Sequence, residues 1–161
     1  MLKTILLSSL VVYFSATGRT KVEASRLSEV ANADLWEIMP AEPYTDADLD
    51  WRNEKSRSSI EMTDAEARPM LKACTNITNY DVIYIGFPIW WGIVPRIVYS
   101  WIDNNDLSGK RLIPFATSGT SPIEPAVADM RKTYPQYPFE DGILMNFITD
   151  KELADAVKKH Q

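Results

Sequence analysis

Three short segments hold the residues best suited to gripping a ligand. The first, Ser15-Ala16-Thr17-Gly18-Arg19-Thr20, follows the apolar run Ser9-Leu10-Val11-Val12-Tyr13-Phe14. A buried strand emptying into a hydroxyl-rich turn that opens a helix gathers O–H groups and glycine-bared N–H groups at the positive end of the helix dipole. That is the chemistry that holds a phosphate. The same hydroxyls also cap helices with no ligand present. Arg19 either pairs with the phosphate or points into water. The second segment, Gly86-Phe87-Pro88-Ile89-Trp90-Trp91-Gly92, follows another strand-like run, Tyr80-Asp81-Val82-Ile83-Tyr84-Ile85. Adjacent tryptophans in an extended turn point opposite ways, so one indole is expected to pack inward and the other to meet a flat aromatic ligand. The third, Thr117-Ser118-Gly119-Thr120-Ser121, offers Ser118 and Gly119 as ligand candidates and Ser121 as a helix cap. Together these segments call for a phosphorylated aromatic cofactor.

Several chemistries are excluded by what the chain lacks. His160 is the only histidine and sits at the far end of the chain, so neither a Ser-His-Asp nor a Cys-His nucleophile system can be assembled. One cysteine, Cys74, and one histidine make no Cys/His zinc site. The first loop contains neither GxGxxG nor GxxxxGK, which removes the dinucleotide fingerprint and the P-loop. Asp46, Asp48, Asp50 and Glu54 are spaced too irregularly for a divalent-ion loop and are expected to be a solvated surface. Cys74 is expected to be a buried, inert thiol, and a lone cysteine suits a reducing compartment. The net charge of −5 argues against a nucleic-acid partner. The apolar start of the chain is too short and serine-broken to span a bilayer, and cleavage near Ala16 would remove the first strand. A cytoplasmic protein is expected, its reactive chemistry supplied by a cofactor.

The elements that must position these loops follow from the apolar pattern. Leu6–Phe14, the run from Val82 and the run from Arg111 are continuous rather than alternating, the signature of strands covered on both faces. Between them lie helical patterns over 21–33, from Pro95, and from Ser121 with Pro125 in its first turn. A strand over 34–38, a helix capped by Thr63 and Glu66 that includes Met70, Leu71 and Ala73, a strand over 142–147 and a final helix capped by Thr149 and Glu152 complete the set. Residues 40–63 form a polar, acidic loop too long for an ordinary connector, hence functional or mobile. The whole 1–161 span reads as one α/β domain, a doubly wound parallel sheet preceded by a short extension over 1–8. Ligands in such sheets sit outside the carboxyl ends of the strands, and Gly18, Gly86, Gly92 and Gly119 lie on that side.

The run Leu10–Thr20, the turn Phe87-Pro88-Ile89-Trp90-Trp91-Gly92 and the turn Thr117-Ser118-Gly119, in that order, resemble the flavodoxin-like FMN proteins of the short-chain type. The resemblance covers residues 9–160. It implies a five-stranded parallel sheet of order 2-1-3-4-5 with FMN beside the first and third strands. It further implies that Ser15, Thr17, Gly18 and Thr20 hold the FMN phosphate. Pro88, Ile89, Trp90, Trp91 and Gly92 would line the isoalloxazine, with Ser118 and Gly119 at its other rim. The implied function is an electron carrier between a reductase and an acceptor. Two readings stand beside it: an FMN-dependent NAD(P)H:quinone-type oxidoreductase, and a cofactor-free interaction module. The third loop departs from electron-carrier flavodoxins in lacking the aromatic residue that stacks on the flavin. The loop around Tyr44, Trp51 and Arg57 either covers the flavin instead or shapes a substrate pocket.

Overall fold

The computed structural model describes residues 8–161, so Leu6, Leu7 and the rest of the expected 1–8 extension before Ser8 lie outside the described residues. Among the described residues, five strands and five helices alternate: β1 (Ser9–Tyr13), α1 (Arg19–Ala31), β2 (Asp34–Glu37), α2 (Arg57–Thr63), β3 (Val82–Pro88), α3 (Arg96–Asp103), β4 (Arg111–Thr117), α4 (Glu124–Thr133), β5 (Ile143–Leu144) and α5 (Asp150–Lys158). Every strand pair is parallel, and the spatial order is β2-β1-β3-β4-β5. The order reverses between β1 and β3, which opens a crevice at their carboxyl ends.

Side-chain alternation along the central strands divides the core into two layers. Leu10 and Val12 of β1, with Ile83, Ile85 and Phe87 of β3, pack against α3 and α4. Val11 and Tyr13, with Val82 and Tyr84, pack against α1 and α5. All of these strand residues are buried, which explains why β1, β3 and β4 read as unbroken apolar runs. The helix that follows Pro95 buries Ile97, Val98, Trp101 and Ile102, as their spacing predicts. The Thr149–Glu152 capping box is present in full. Among the described residues, no helix is long and apolar enough to cross a membrane.

Four sequence expectations are corrected. Residues 64–74 form no helix: Asp64 closes α2, and Pro69 cannot continue a helix because it lacks an N–H and crowds the preceding turn. That segment instead pairs with the chain after β2, where Ala41 N donates to Met70 O and Lys72 N donates to Met39 O. The helix in this region is α2, inside the expected loop, capped by Ser56 Oγ accepting from Ser59 N. The fifth strand is shorter than 142–147, because Asn146 turns its side chain to the neighbouring loop and Phe147 has a left-handed backbone, φ +58°. Cys74 is exposed rather than buried, and Ser121 does not cap α4, whose N-cap position is Ile123.

Gly86 belongs inside β3 rather than at its end, and its role is close approach. A Cβ there would lie 2.0 Å from the ring of Phe115 on the adjacent strand. Gly86→Ala is therefore expected to cost about 1–3 kcal/mol of unfolding free energy by overpacking. Urea denaturation measures it, and Phe115→Leu in the same chain should recover part of the loss.

His160 closes the opposite end of the sheet, buried with Nδ1 3.2 Å from the Tyr84 hydroxyl. Burial holds its pKa below the usual 6.5, with Glu140 opposing the shift. The folded protein thus binds this proton less readily than the unfolded chain. Its contribution is complete above the unfolded value and is lost as pH falls through about 6.5 toward the lower folded value. Unfolding midpoints across pH 7 to 5 should decline, and His160→Gln should flatten the decline.

Candidate cofactor site

The site is built at the carboxyl ends of β1, β3 and β4. β1 pairing runs one residue past the strand, where Phe14 N donates to Gly86 O at 3.0 Å, and the chain then turns. Ser15 Oγ folds back and accepts from Gly18 N (3.1 Å) and Lys21 N (3.2 Å). Gly18 sits at the α1 N-cap with φ +97°, a left-handed conformation that glycine adopts without penalty. Among the described residues, the N–H groups of Ala16, Thr17, Arg19 and Thr20 find no acceptor. These four N–H groups flank the positive end of α1, with the exposed Thr17 among them. The Thr20 hydroxyl is buried and bonds the Thr117 hydroxyl at 2.8 Å. The pair carries two protons and uses one between them, so one remains for donation elsewhere.

Arg19 is exposed yet anchored. Its guanidinium donates to Ser118 O (2.5 Å) and to Asn146 Oδ1 (3.2 Å), tying the first loop to the loops after β4 and β5. Asn146 completes the lacing: its Oδ1 accepts from Ser118 N (3.0 Å), and its Nδ2 donates to Ser118 O (2.8 Å) and Oγ (3.0 Å). Ser118 Oγ in turn donates to Ser121 O at 2.6 Å. The polar atoms of Ser118 are therefore occupied within the protein, and Gly119 is the exposed member of that rim.

The tryptophan turn is a tight reversal. Trp90 N donates to Ile93 O (3.0 Å), and Ile93 N donates to Trp90 O (2.9 Å). Trp91 and Gly92, the two central residues, have φ of +49° and +77°. Positive φ at both positions marks a type I′ turn, which glycine tolerates and tryptophan adopts at about 1–2 kcal/mol. Strain of this kind is retained where the surroundings demand it. Ile89 N donates to Thr117 O at 2.9 Å, and Pro88 is paired with Thr117, so this turn and the third loop are fixed to each other. The two indoles have different surroundings. Trp90 packs edge-on against Phe14 and Tyr44, both at 5.5 Å between ring centres, while Trp91 is 48% exposed.

The 40–63 segment is an organised part of this end of the molecule. Tyr44 lies against Phe14, and the Arg57 guanidinium sits 3.8 Å over its ring. Tyr44 donates to Glu61 at 2.5 Å, and Glu61 also pairs with Arg57 at 3.0 Å. Burial, reinforced by Glu61, pushes the Tyr44 phenol well above its usual value, so it stays a donor. A cleft of about 330 Å³ opens between this segment and the β1 and β2 ends, lined in part by Ser15, Ala16, Ile38 and Tyr44.

Ser15, Thr17, Gly18, Arg19 and Thr20 thus form one loop, and Pro88, Ile89, Trp90, Trp91 and Gly92 the next. Ser118 and Gly119 complete the rim. Sequence reasoning placed Thr117 in the third segment but not its bond to Thr20, and it missed Asn146, which braces the third loop. A polar residue closing the apolar run at 143–145 was the available signal for Asn146.

A family model described as flavodoxin matches residues 8–160 of the chain. A candidate flavoprotein from Bacteroides eggerthii is 44% identical, with 96% of this chain and 98% of that one covered and a TM-score of 0.93. A flavoprotein from Lactobacillus acidophilus, solved in complex with FMN, shares the fold at 20% identity, with 86% and 93% covered and a TM-score of 0.67. Oxidised flavodoxin 2 from Bacillus cereus does so at 15% identity, with 94% and 95% covered and a TM-score of 0.56. No curated protein matches the chain in sequence. With nearly its whole length matched and its three loops in register at the strand ends, the chain belongs to the flavodoxin family.

Proposed function

We propose that the chain binds FMN across the ends of β1, β3 and β4 and passes electrons between a reductase and an acceptor. The observation that carries this reading is the set of four unpartnered N–H groups at the start of α1, one strand away from an aromatic turn. A dianionic phosphate suits those donors, and the Lactobacillus acidophilus relative solved with FMN supports the same ligand class. The amides of Ala16, Thr17, Arg19 and Thr20, with the Thr17 hydroxyl, would hold the phosphate. Pro88 to Gly92 would line the ring, and Gly119 would leave its far rim open.

Bound FMN supplies reversible electron transfer. The chain's own contribution is binding, orientation and charge. The Arg19 guanidinium is committed to Ser118 and Asn146, and the turn Pro88–Gly92 carries no cation. Those surroundings, with a net charge of −5, would disfavour added negative charge on a bound ring and lower its reduction potential. Gly92, as a glycine at positive φ, would leave the Trp91–Gly92 peptide free to reorient beside such a ring.

A second reading, an NAD(P)H:quinone-type oxidoreductase, is favoured by Gly119 and by the apolar surface at Trp91, which leave space for a flat acceptor. NAD(P)H oxidation with a quinone acceptor separates it from the carrier. The exposed Cys74 thiol suits a reducing compartment, and we place the protein in the cytoplasm.

The test is direct. FMN is expected to bind at least about 100-fold more tightly than riboflavin, since two or more charge-assisted hydrogen bonds depend on the phosphate. Thr17→Ala should weaken FMN about tenfold and leave riboflavin unchanged. Equal affinity for the two flavins, or a colourless protein that ignores added FMN, refutes the reading and favours an interaction module.

A further inference from the structure

The turn that carries the paired tryptophans shares a wall with the β2–β3 connection. A cleft of about 230 Å³ is lined by Trp51, Ile89, Trp90 and Trp91. Three of these belong to the turn after β3; Trp51 arrives from the far side. Trp51 is 67% exposed and Trp91 48%, so two large apolar rings face one open space and leave much of their surface in water.

Trp51 is delivered there by a braced loop. Thr45 N donates to Asp48 Oδ2 (2.9 Å), and Asp48 N returns a bond to Thr45 Oγ1 (3.1 Å). Asn53 N donates to Asp50 O (3.0 Å), closing a second turn around Trp51 itself. Ser58 N donates to Asp48 O (3.0 Å), and Arg57 Nη1 donates to Glu42 O (2.8 Å), so the loop is clamped to α2. Arg57 in turn sits on Tyr44, which packs against Trp90. The loop that holds Trp51 and the turn that holds Trp91 are thus one packed unit.

The third loop offers no aromatic of its own: residues 117–121 contain none, and a Cβ added at Gly119 would meet nothing within 4 Å. We propose that Trp51 is the second aromatic wall of the flavin ring pocket, supplied by the β2–β3 connection in place of an aromatic from the third loop. The inference rests on the FMN reading above. The cleft suits the ring system and no other part of that ligand: its lining carries no charged side chain, so it fits an uncharged, flat apolar group and gives nothing to a phosphate or a polyol chain. It is also continuous with Ile89, Trp90 and Trp91, the residues assigned to the ring. Seating the ring there would take both exposed indoles out of water at once.

The experiment titrates FMN and riboflavin into flavin-free wild type, Trp51→Ala and Trp51→Phe, following flavin fluorescence. Trp51 is exposed, so the fold is expected to survive, with circular dichroism and the unfolding midpoint as controls. Trp51→Ala should weaken both flavins by the same factor, about tenfold, because the ring and not the phosphate loses a partner. Flavin bound to that variant should also recover part of its quenched fluorescence, and Trp51→Phe should restore most of the affinity. Wild-type binding with unchanged affinity and quenching in Trp51→Ala overturns this inference alone. Unchanged flavin affinity with a raised KM for a quinone assigns the cleft to an acceptor and overturns it equally. If wild type takes neither flavin, the FMN reading falls, and this one with it.

Discussion

Backbone donors without acceptors at the mouth of β1 set the terms for the rest of this end of the molecule. The N–H groups of Ala16, Thr17, Arg19 and Thr20 are left open where the chain leaves the sheet and the α1 dipole begins. N–H groups at a helix start that no protein acceptor meets are satisfied by water or by a ligand's acceptor atoms, and the helix dipole favours an anion. The loop keeps them available by spending one hydroxyl, Ser15 Oγ, on the two neighbouring amides, Gly18 and Lys21. Glycine at the N-cap lets the chain enter α1 through a left-handed residue without steric penalty.

The surrounding contacts hold that loop in place. Thr20 is pinned to Thr117 beneath it, Arg19 reaches across to Ser118, and Asn146 grips Ser118 from the next loop. These bonds join the loops after β1, β4 and β5, whose strands lie in the same parallel sheet. The tryptophan turn enters the same network through Ile89 and Thr117. The hydroxyl loop and the tryptophan turn are thereby set at a fixed separation by strand spacing. Arg19 is the instructive case: a cation in the hydroxyl loop serves as the brace between loops.

Much of this was legible in the chain because burial leaves a pattern. β1, β3 and β4 are covered on both faces, and no polar alternation interrupts them. Thr149 and Glu152 announce α5 because both halves of the capping box form. The identical spacing at Thr63 and Glu66 fails for a local reason: Thr63 Oγ1 donates back to Ile60 O at the end of α2, and Pro69 blocks a helix downstream. α2 itself went unseen because seven residues inside a polar segment carry no apolar stripe, although Ser56 and the Arg57–Glu61 pair mark its first turns. At the site, the loops were visible as motifs of hydroxyl, glycine and indole. What each side chain touches was not, because Thr20–Thr117 and Arg19–Asn146 join residues about a hundred positions apart or more, and only the sheet order brings them together.

The most direct measurement follows the backbone amide resonances of the 15N-labelled protein as FMN is added. The amides of Ala16, Thr17, Arg19 and Thr20 should shift strongly downfield in the proton dimension as they bond phosphate oxygens, while Gly18 and Lys21, already held by Ser15, move less. Flavin binding that leaves those four resonances in place would contradict the account, because the phosphate would then be held elsewhere.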